Sequence, residues 1–313
     1  MADNFTVILQ GHFLDPEIPQ ALYVVDVLVN AVSSIAAIIG NALIIVALRK
    51  IPLIQLHSVF KAFLFNLALA DLCVGIVVQP LYISAVLTAM YGYHEASRIV
   101  GALFYLTNWY FPNISVSFLT AIAIDRLLAL HFHQRYRHLV TFKRVVIALV
   151  FLWVLKLTET LIIIFDYRIF NIQTNVGLGI CLSLITFCYL NIYFTLRRHD
   201  IAVRNTFSLP NVRGTCPTEY ASARRSNFSL MRYKRSVHNM LYVYATFVLC
   251  FLPIFCVLIV SQTRGMDRAT KLVRFSGVTL IYINSSLNPI LYCWRIREIR
   301  RMVWRTLSGI FCK

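Results

Sequence analysis

Seven stretches of this chain run almost free of charge, each about the length that crosses a membrane as a helix. They are Val27 to Leu48, Ala62 to Met90 around Asp71, Ile99 to Ile124, Val145 to Phe165 around Lys156 and Glu159, Val176 to Leu196, Met240 to Val260, and Phe275 to Trp294. In hydrocarbon only a helix or a closed barrel satisfies its own backbone, and continuous rather than alternating apolarity points to helices. Composition agrees: 59% of the residues are hydrophobic and 14% charged, where a soluble domain has about 45–50% and about 25%. That excludes an ordinary cytosolic enzyme, a disordered chain and a disulfide-stapled secreted module. The expected fold class is an all-α membrane protein, a seven-transmembrane helix bundle.

The net charge of +17 is a matter of where the charges lie. Twenty-three of the Lys and Arg residues follow spans 1, 3, 5 and 7, six lie in the other connections, and Lys156 is inside a span. The positive-inside rule then places the amino terminus outside the cell and the carboxyl terminus in the cytoplasm of a multi-pass plasma-membrane protein. The excess charge faces anionic membrane lipids, and nucleic acid is not an expected partner. The first twenty residues hold three acids and no Lys or Arg, so no cleavable signal peptide is expected. Residues 1–21 form the extracellular amino terminus, 22–294 the membrane domain and 295–313 a cytoplasmic helix and tail. The longest connection, about 198–235, is Arg-, Ser- and Asn-rich and reads as a flexible cytoplasmic loop. Asn4-Phe5-Thr6 is a glycosylation acceptor on the outer side.

After span 7, Ile296, Ile299, Val303 and Leu307 recur at helical spacing opposite five arginines. This predicts a short amphipathic eighth helix on the cytoplasmic membrane surface. Cys312 beyond it is either palmitoylated or an unmodified terminal cysteine. None of the eight cysteines falls in a predicted outer loop, so no extracellular disulfide is expected.

A polar side chain in hydrocarbon is costly unless paired or facing an internal cavity. If Asp71 in span 2, Asn41 in span 1, Ser115 in span 3, and Asn284, Ser285 and Asn288 in span 7 converge, they make an internal site. One carboxylate with several oxygen dipoles suits a hard cation with waters; a protonated aspartate in an amide network fits the same residues. Lys156 and Glu159 are three apart on one helical face, so either they satisfy each other or they line a cavity that reads a polar ligand. The former is the simpler reading.

Six motifs then stand in order on six spans: Gly40-Asn41, Leu67-Ala68-Leu69-Ala70-Asp71, Asp125-Arg126-Leu127, Trp153, Cys250-Phe251-Leu252-Pro253, and Asn288-Pro289-Ile290-Leu291-Tyr292. On these the chain resembles the rhodopsin-like (class A) G protein-coupled receptors over every span, and loosely the group that includes adenosine and melanocortin receptors. The resemblance implies a cell-surface receptor that binds an extracellular ligand within the bundle and activates heterotrimeric G proteins, with arrestin as a further partner. It assigns Asp71, Ser115, Asn284, Ser285 and Asn288 to an allosteric sodium site. It assigns Asp125, Arg126, Tyr189, Phe251, Pro253, Asn288, Pro289 and Tyr292 to G protein coupling and the activation switch. Asn108, Trp109, Phe255 and Tyr282 would face the ligand.

The departures are informative. Gly101 replaces the family's span 3 cysteine, and Asp166 to Asn175 offers no partner for one. Cys181 replaces a span 5 proline, and Phe251 the span 6 tryptophan. Asn108 stands where amine receptors carry an aspartate, and Tyr282 where opsins carry the retinal lysine, so neither ligand carries over. Tyr233 stands where many relatives have an acid that clasps the residue matched by Arg126, which implies appreciable activity without ligand. No transporter-like repeat is visible, and the eight histidines lack metal-ligand spacing. The protein is read as not an enzyme; a scaffold or decoy receptor without G protein coupling is the alternative.

Overall fold

The computed structural model describes residues 14–52, 56–132, 135–207, 241–261 and 267–311. Eight long helices account for nearly all of them. They are α1 (Gln20–Lys50), α2 (Ser58–Met90), α3 (His94–Phe132), α4 (Phe142–Phe165), α5 (Tyr167–Phe207), α6 (Leu241–Ser261), α7 (Arg268–Arg295) and α8 (Arg297–Phe311). A single turn, Tyr136–Leu139, lies between α3 and α4. Helices α1 to α6 are long and apolar enough to cross a membrane. Helix α7 is also long enough at 28 residues, but Arg268, Lys271 and Arg274 at its start and a buried stripe of Asn284, Ser285, Ser286 and Asn288 lower its apolarity.

Burial is inverted relative to a soluble protein. On α1, Leu28, Val32, Ile35 and Ile39 are exposed, Val32 to 70%, while Asp26, Asn30, Ser33 and Asn41 are buried. That pattern suits a bundle whose outer face meets lipid and whose polar groups must be satisfied internally. Helix α1 packs between α2 and α7, and α3 contacts α2, α4 and α5. The core runs through Leu64, Leu67, Ile114, Phe118, Ile122, Phe247 and Tyr292. Trp153 Nε1 donates to Asn66 Oδ1 at 3.0 Å, anchoring α4 to α2.

Three boundaries differ from the sequence expectation. Helix α1 begins at Gln20 rather than near Val27 and so carries Asp26 into the bundle. Helix α5 continues to Phe207, through the first part of the region read as a loop. One residue, Asp166, separates α4 from α5; its Oδ1 accepts the backbone N–H groups of Arg168 and Ile169 at 2.8 and 3.0 Å. Such a cap satisfies donors that a helix start leaves open.

The eighth helix forms, but its apolar stripe turns inward. Ile296, Ile299 and Val303 are buried in the main core, and α8 packs against α1 and α7. Among the described side chains of α8, Trp304 is the large apolar one left exposed, at 68%.

Within α2 the residues Val74–Val78 form a π turn. Pro80 has no N–H for the ladder and would crowd the carbonyl four residues back, which the wider turn relieves. The hydroxyl of Ser34 donates to the carbonyl of Gly75 at 2.8 Å, occupying an oxygen at that turn.

Candidate functional site

The expected polar convergence is built around Asp71, which is fully buried. Its Oδ1 accepts the hydroxyls of Ser115 at 3.2 Å and Ser285 at 2.8 Å; its Oδ2 accepts Asn288 Nδ2 at 2.7 Å. Three helices, α2, α3 and α7, therefore meet on one carboxylate. Asn41 ties in α1, donating to the carbonyls of Ala37 at 2.9 Å and Ser285 at 3.0 Å. The side-chain oxygens of Asn41, Asn284 and Asn288 are buried and accept no hydrogen bond. A carboxylate accompanied by orphaned amide oxygens is an all-oxygen donor set that fits a hard monovalent cation. Among the described residues, no three His, Cys, Asp or Glu side chains come together as a multivalent metal site would require.

At the carboxyl-terminal end of α3, Arg126 Nη2 lies 3.1 Å from Asp125 Oδ2, and its guanidinium stacks 4.1 Å from the centroid of Phe60. Asp125 Oδ1 accepts the Tyr136 hydroxyl at 2.5 Å. The arginine is thus held against α3 and α2 from two sides. Tyr189 stacks on Tyr244 with centroids 5.1 Å apart, and Tyr292 is buried with its hydroxyl unpartnered. Phe251 packs on Phe247 at 4.4 Å in the core, two residues before Pro253.

At the other end of the bundle, Tyr282 donates to Asn108 Oδ1 at 2.5 Å. Trp109 packs edge-on against Phe170 at 5.5 Å, with its indole N–H buried and unpartnered. Phe255 faces α5, where a Cβ on Gly179 would sit 3.4 Å from its Cζ. Two of the four residues expected to face the ligand, Asn108 and Tyr282, are therefore in direct contact, while Trp109 and Phe255 pack towards α5. Lys156 and Glu159 pair at 2.6 Å. They line a small cavity of mixed polarity between α3, α4 and α5, with Asn113, Ser117, Gln173 and Thr174 beside Phe170 and Leu178.

Asn4, Cys312 and Tyr233 lie outside the described residues. Sequence reasoning missed a second buried cluster: Asp26, Asn30 and Ser33 on α1, Gln79 and Tyr82 on α2, and Thr279 on α7. The spacing of Asp26, Asn30, Ser33, Ala37 and Asn41 at three and four residues was the available clue, since it is one helical face.

The family model described as "7 transmembrane receptor (rhodopsin family)" matches residues 40–181 and 165–292. The adenosine receptor A3 of Ovis aries is 24% identical over 297 residues, 87% of this chain and 86% of the relative. The octopamine receptor beta-2R of Chilo suppressalis is 22% identical, over 89% of this chain and 78% of the relative. The alpha-1A adrenergic receptor of Oryzias latipes is 25% identical, over 96% and 70%.

Proposed function

Because the chain belongs to the rhodopsin family of seven-transmembrane receptors, we propose that it binds an extracellular ligand and catalyses nucleotide exchange on a heterotrimeric G protein. In this reading the amino terminus is outside, the carboxyl terminus is cytoplasmic and the membrane is the plasma membrane. The charge asymmetry between connections supports it. The observation that carries the coupling half is Arg126, held by Asp125 and Phe60 at the carboxyl-terminal end of α3. Release of that side chain would present a cation, in a recess between helices, to a partner. Arrestin would dock at the same end, and the arginines of α8 would meet anionic lipid.

The ligand reading rests on Asn108, Trp109, Phe255 and Tyr282. These offer an amide, a phenol and aromatic faces, which suit stacking and hydrogen bonding. Asn108 supplies no counter-ion for an amine. Asp166 as the whole connection between α4 and α5 leaves no loop there to cover the bundle mouth. The residues Asp71, Ser115, Asn284, Ser285 and Asn288 would hold sodium, which supplies positive charge to the buried carboxylate and favours the arrangement in which these helices converge. A screen of peptides, nucleosides, lipids and amines against exchange of labelled guanine nucleotide in membranes tests the whole reading. At least one ligand should raise exchange in the wild type and fail with Arg126→Ala. Responses that are identical in the two proteins would overturn it.

A further inference from the structure

A second carboxylate lies inside the bundle, remote from Asp71. Asp26 is 7% exposed, and no Lys, Arg or His among the described residues forms a salt bridge with it. Its Oδ2 accepts the Tyr82 hydroxyl at 2.6 Å, and its Oδ1 accepts the Thr279 hydroxyl. Asn30 Nδ2 donates to the Asp26 carbonyl at 2.9 Å and to Thr279 Oγ1 at 3.2 Å. Gln79 Nε2 donates to Ser33 Oγ at 2.6 Å and to the Asn30 carbonyl at 3.3 Å. Asn30 and Gln79 are themselves fully buried, yet Asn30 Oδ1 and Gln79 Oε1 accept nothing. The cluster therefore gathers a carboxylate and two amide oxygens with its nearby donors already committed.

A carboxylate removed from water is neutralised by a proton or by a cation. Both oxygens of Asp26 already accept O–H groups. A proton on either would neutralise the acid and leave the two amide oxygens as they are. A cation answers all three acceptors together. An all-oxygen set with a single carboxylate suits a small monovalent ion better than a divalent one.

We propose that Asp26, Asn30 and Gln79 hold a small monovalent cation of the sodium type, at a site separate from Asp71. Gln79 is eight residues beyond Asp71 on α2, on the order of 12 Å of helical rise. Tyr23, which meets Phe275 edge-on with centroids 5.0 Å apart, shares a buried apolar cluster with Tyr82, and Leu14 and Ile18 pack against that cluster. The site braces α1, α2 and α7 beside the ligand-facing residues, because the Tyr82 ring lies 6.0 Å from that of Tyr282, which in turn bonds Asn108. The two sites share no residue, so each can be removed without the other.

The test is equilibrium binding of radioactive sodium to the purified full-length chain, with choline holding ionic strength constant. The wild type should bind two ions, Asp71→Asn one, Asp26→Asn one and the double variant none. The melting temperature of Asp71→Asn should still rise by about 1–3 °C for each tenfold of sodium above half-saturation. A wild type whose one ion is lost in Asp26→Asn but kept in Asp71→Asn would support this site and remove the other. If Asp26→Asn does not fold, Gln79→Leu in the Asp71→Asn background keeps the acid and should weaken the remaining ion at least tenfold. No sodium bound by Asp71→Asn, or melting of that variant that follows pH and not sodium, would overturn the proposal. Unchanged affinity in the Gln79→Leu variant would do the same.

Discussion

Asn288 donates its side-chain amide to Asp71 at 2.7 Å from the residue directly before Pro289. The acid of α2 is thereby tied to the one turn of α7 whose backbone ladder a proline interrupts. Sodium held at Asp71 should favour that tie, so nucleotide exchange in wild-type membranes should be several-fold lower in sodium than in choline. Asp71→Asn lacks the charge that holds this ion, and most of the difference between the two salts should be lost in it. Equal exchange in both salts for the wild type would refute the idea.

Gly40 faces the same turn. A Cβ at Gly40 would lie 2.9 Å from Cβ and Cγ of Pro289, and a pyrrolidine ring cannot swing away. Overpacking of this kind costs about 1–3 kcal/mol. Gly40→Ala should therefore lower the melting temperature by on the order of 5 °C. Gly177→Ala is the control, since nothing lies within 4 Å of its Cβ position and alanine favours the helix. Equal melting of the two variants would show that the Gly40–Pro289 contact yields.

The bundle was legible because hydrocarbon imposes length and apolarity on each span, and Asp71 was legible because a lone acid within such a run must find partners. Asp26 was not, although it is buried as Asp71 is. It stands one residue outside the apolar run that starts at Val27, where a charge reads as a boundary. Only the longer helix from Gln20 turns it inward. The inward turn of α8 was hidden for a different reason. An apolar stripe reports that a face is covered, but the same spacing serves lipid or protein, and Ile299 and Val303 meet α1 and the core.

Lys271 at the start of α7 lies 3.1 Å from Asp15 and 3.2 Å from Glu17, tying residues 14–18 to the bundle. The backbone N–H of Glu17 and then Lys271 hold the Asp15 carboxyl below its ordinary range, and the two acids raise the Lys271 ammonium. A lowered acid stabilises above its unfolded value of about 4 and loses that contribution as pH falls through the folded one. A raised lysine stabilises below about 10 and loses it as pH rises through its folded value. Protection of the Tyr23 region from hydrogen exchange should thus be flat between about pH 5 and pH 9 and weaken outside that window. Because the pair is at the surface, molar salt should weaken it as well. Lys271→Met should show the weakened protection across the whole window; protection equal to wild type would mean the tie contributes nothing.

Asp125 pairs with Arg126 at the carboxyl-terminal end of α3. The aspartate is 3% exposed on its side chain and the arginine 13%, so their 3.1 Å pair is better shielded than a surface pair. Exposed pairs contribute about 0.2–1 kcal/mol, and this one belongs at or above the top of that range. Asp125→Asn keeps the shape of the side chain and an acceptor for the Tyr136 hydroxyl, but removes the charge that holds Arg126. At about 1.4 kcal/mol per tenfold, ligand-free nucleotide exchange should rise roughly 5-fold. Arg126→Ala, by contrast, should abolish exchange while the protein still reaches the cell surface, because the Arg126 side chain stays partly exposed at the carboxyl-terminal end of α3. The pair of variants separates two roles for one contact. If Asp125 only supports the fold, Asp125→Asn will lower surface expression and leave exchange per receptor unchanged. If it restrains Arg126, exchange per receptor will rise, and adding Arg126→Ala to Asp125→Asn will bring it back to the level of empty membranes.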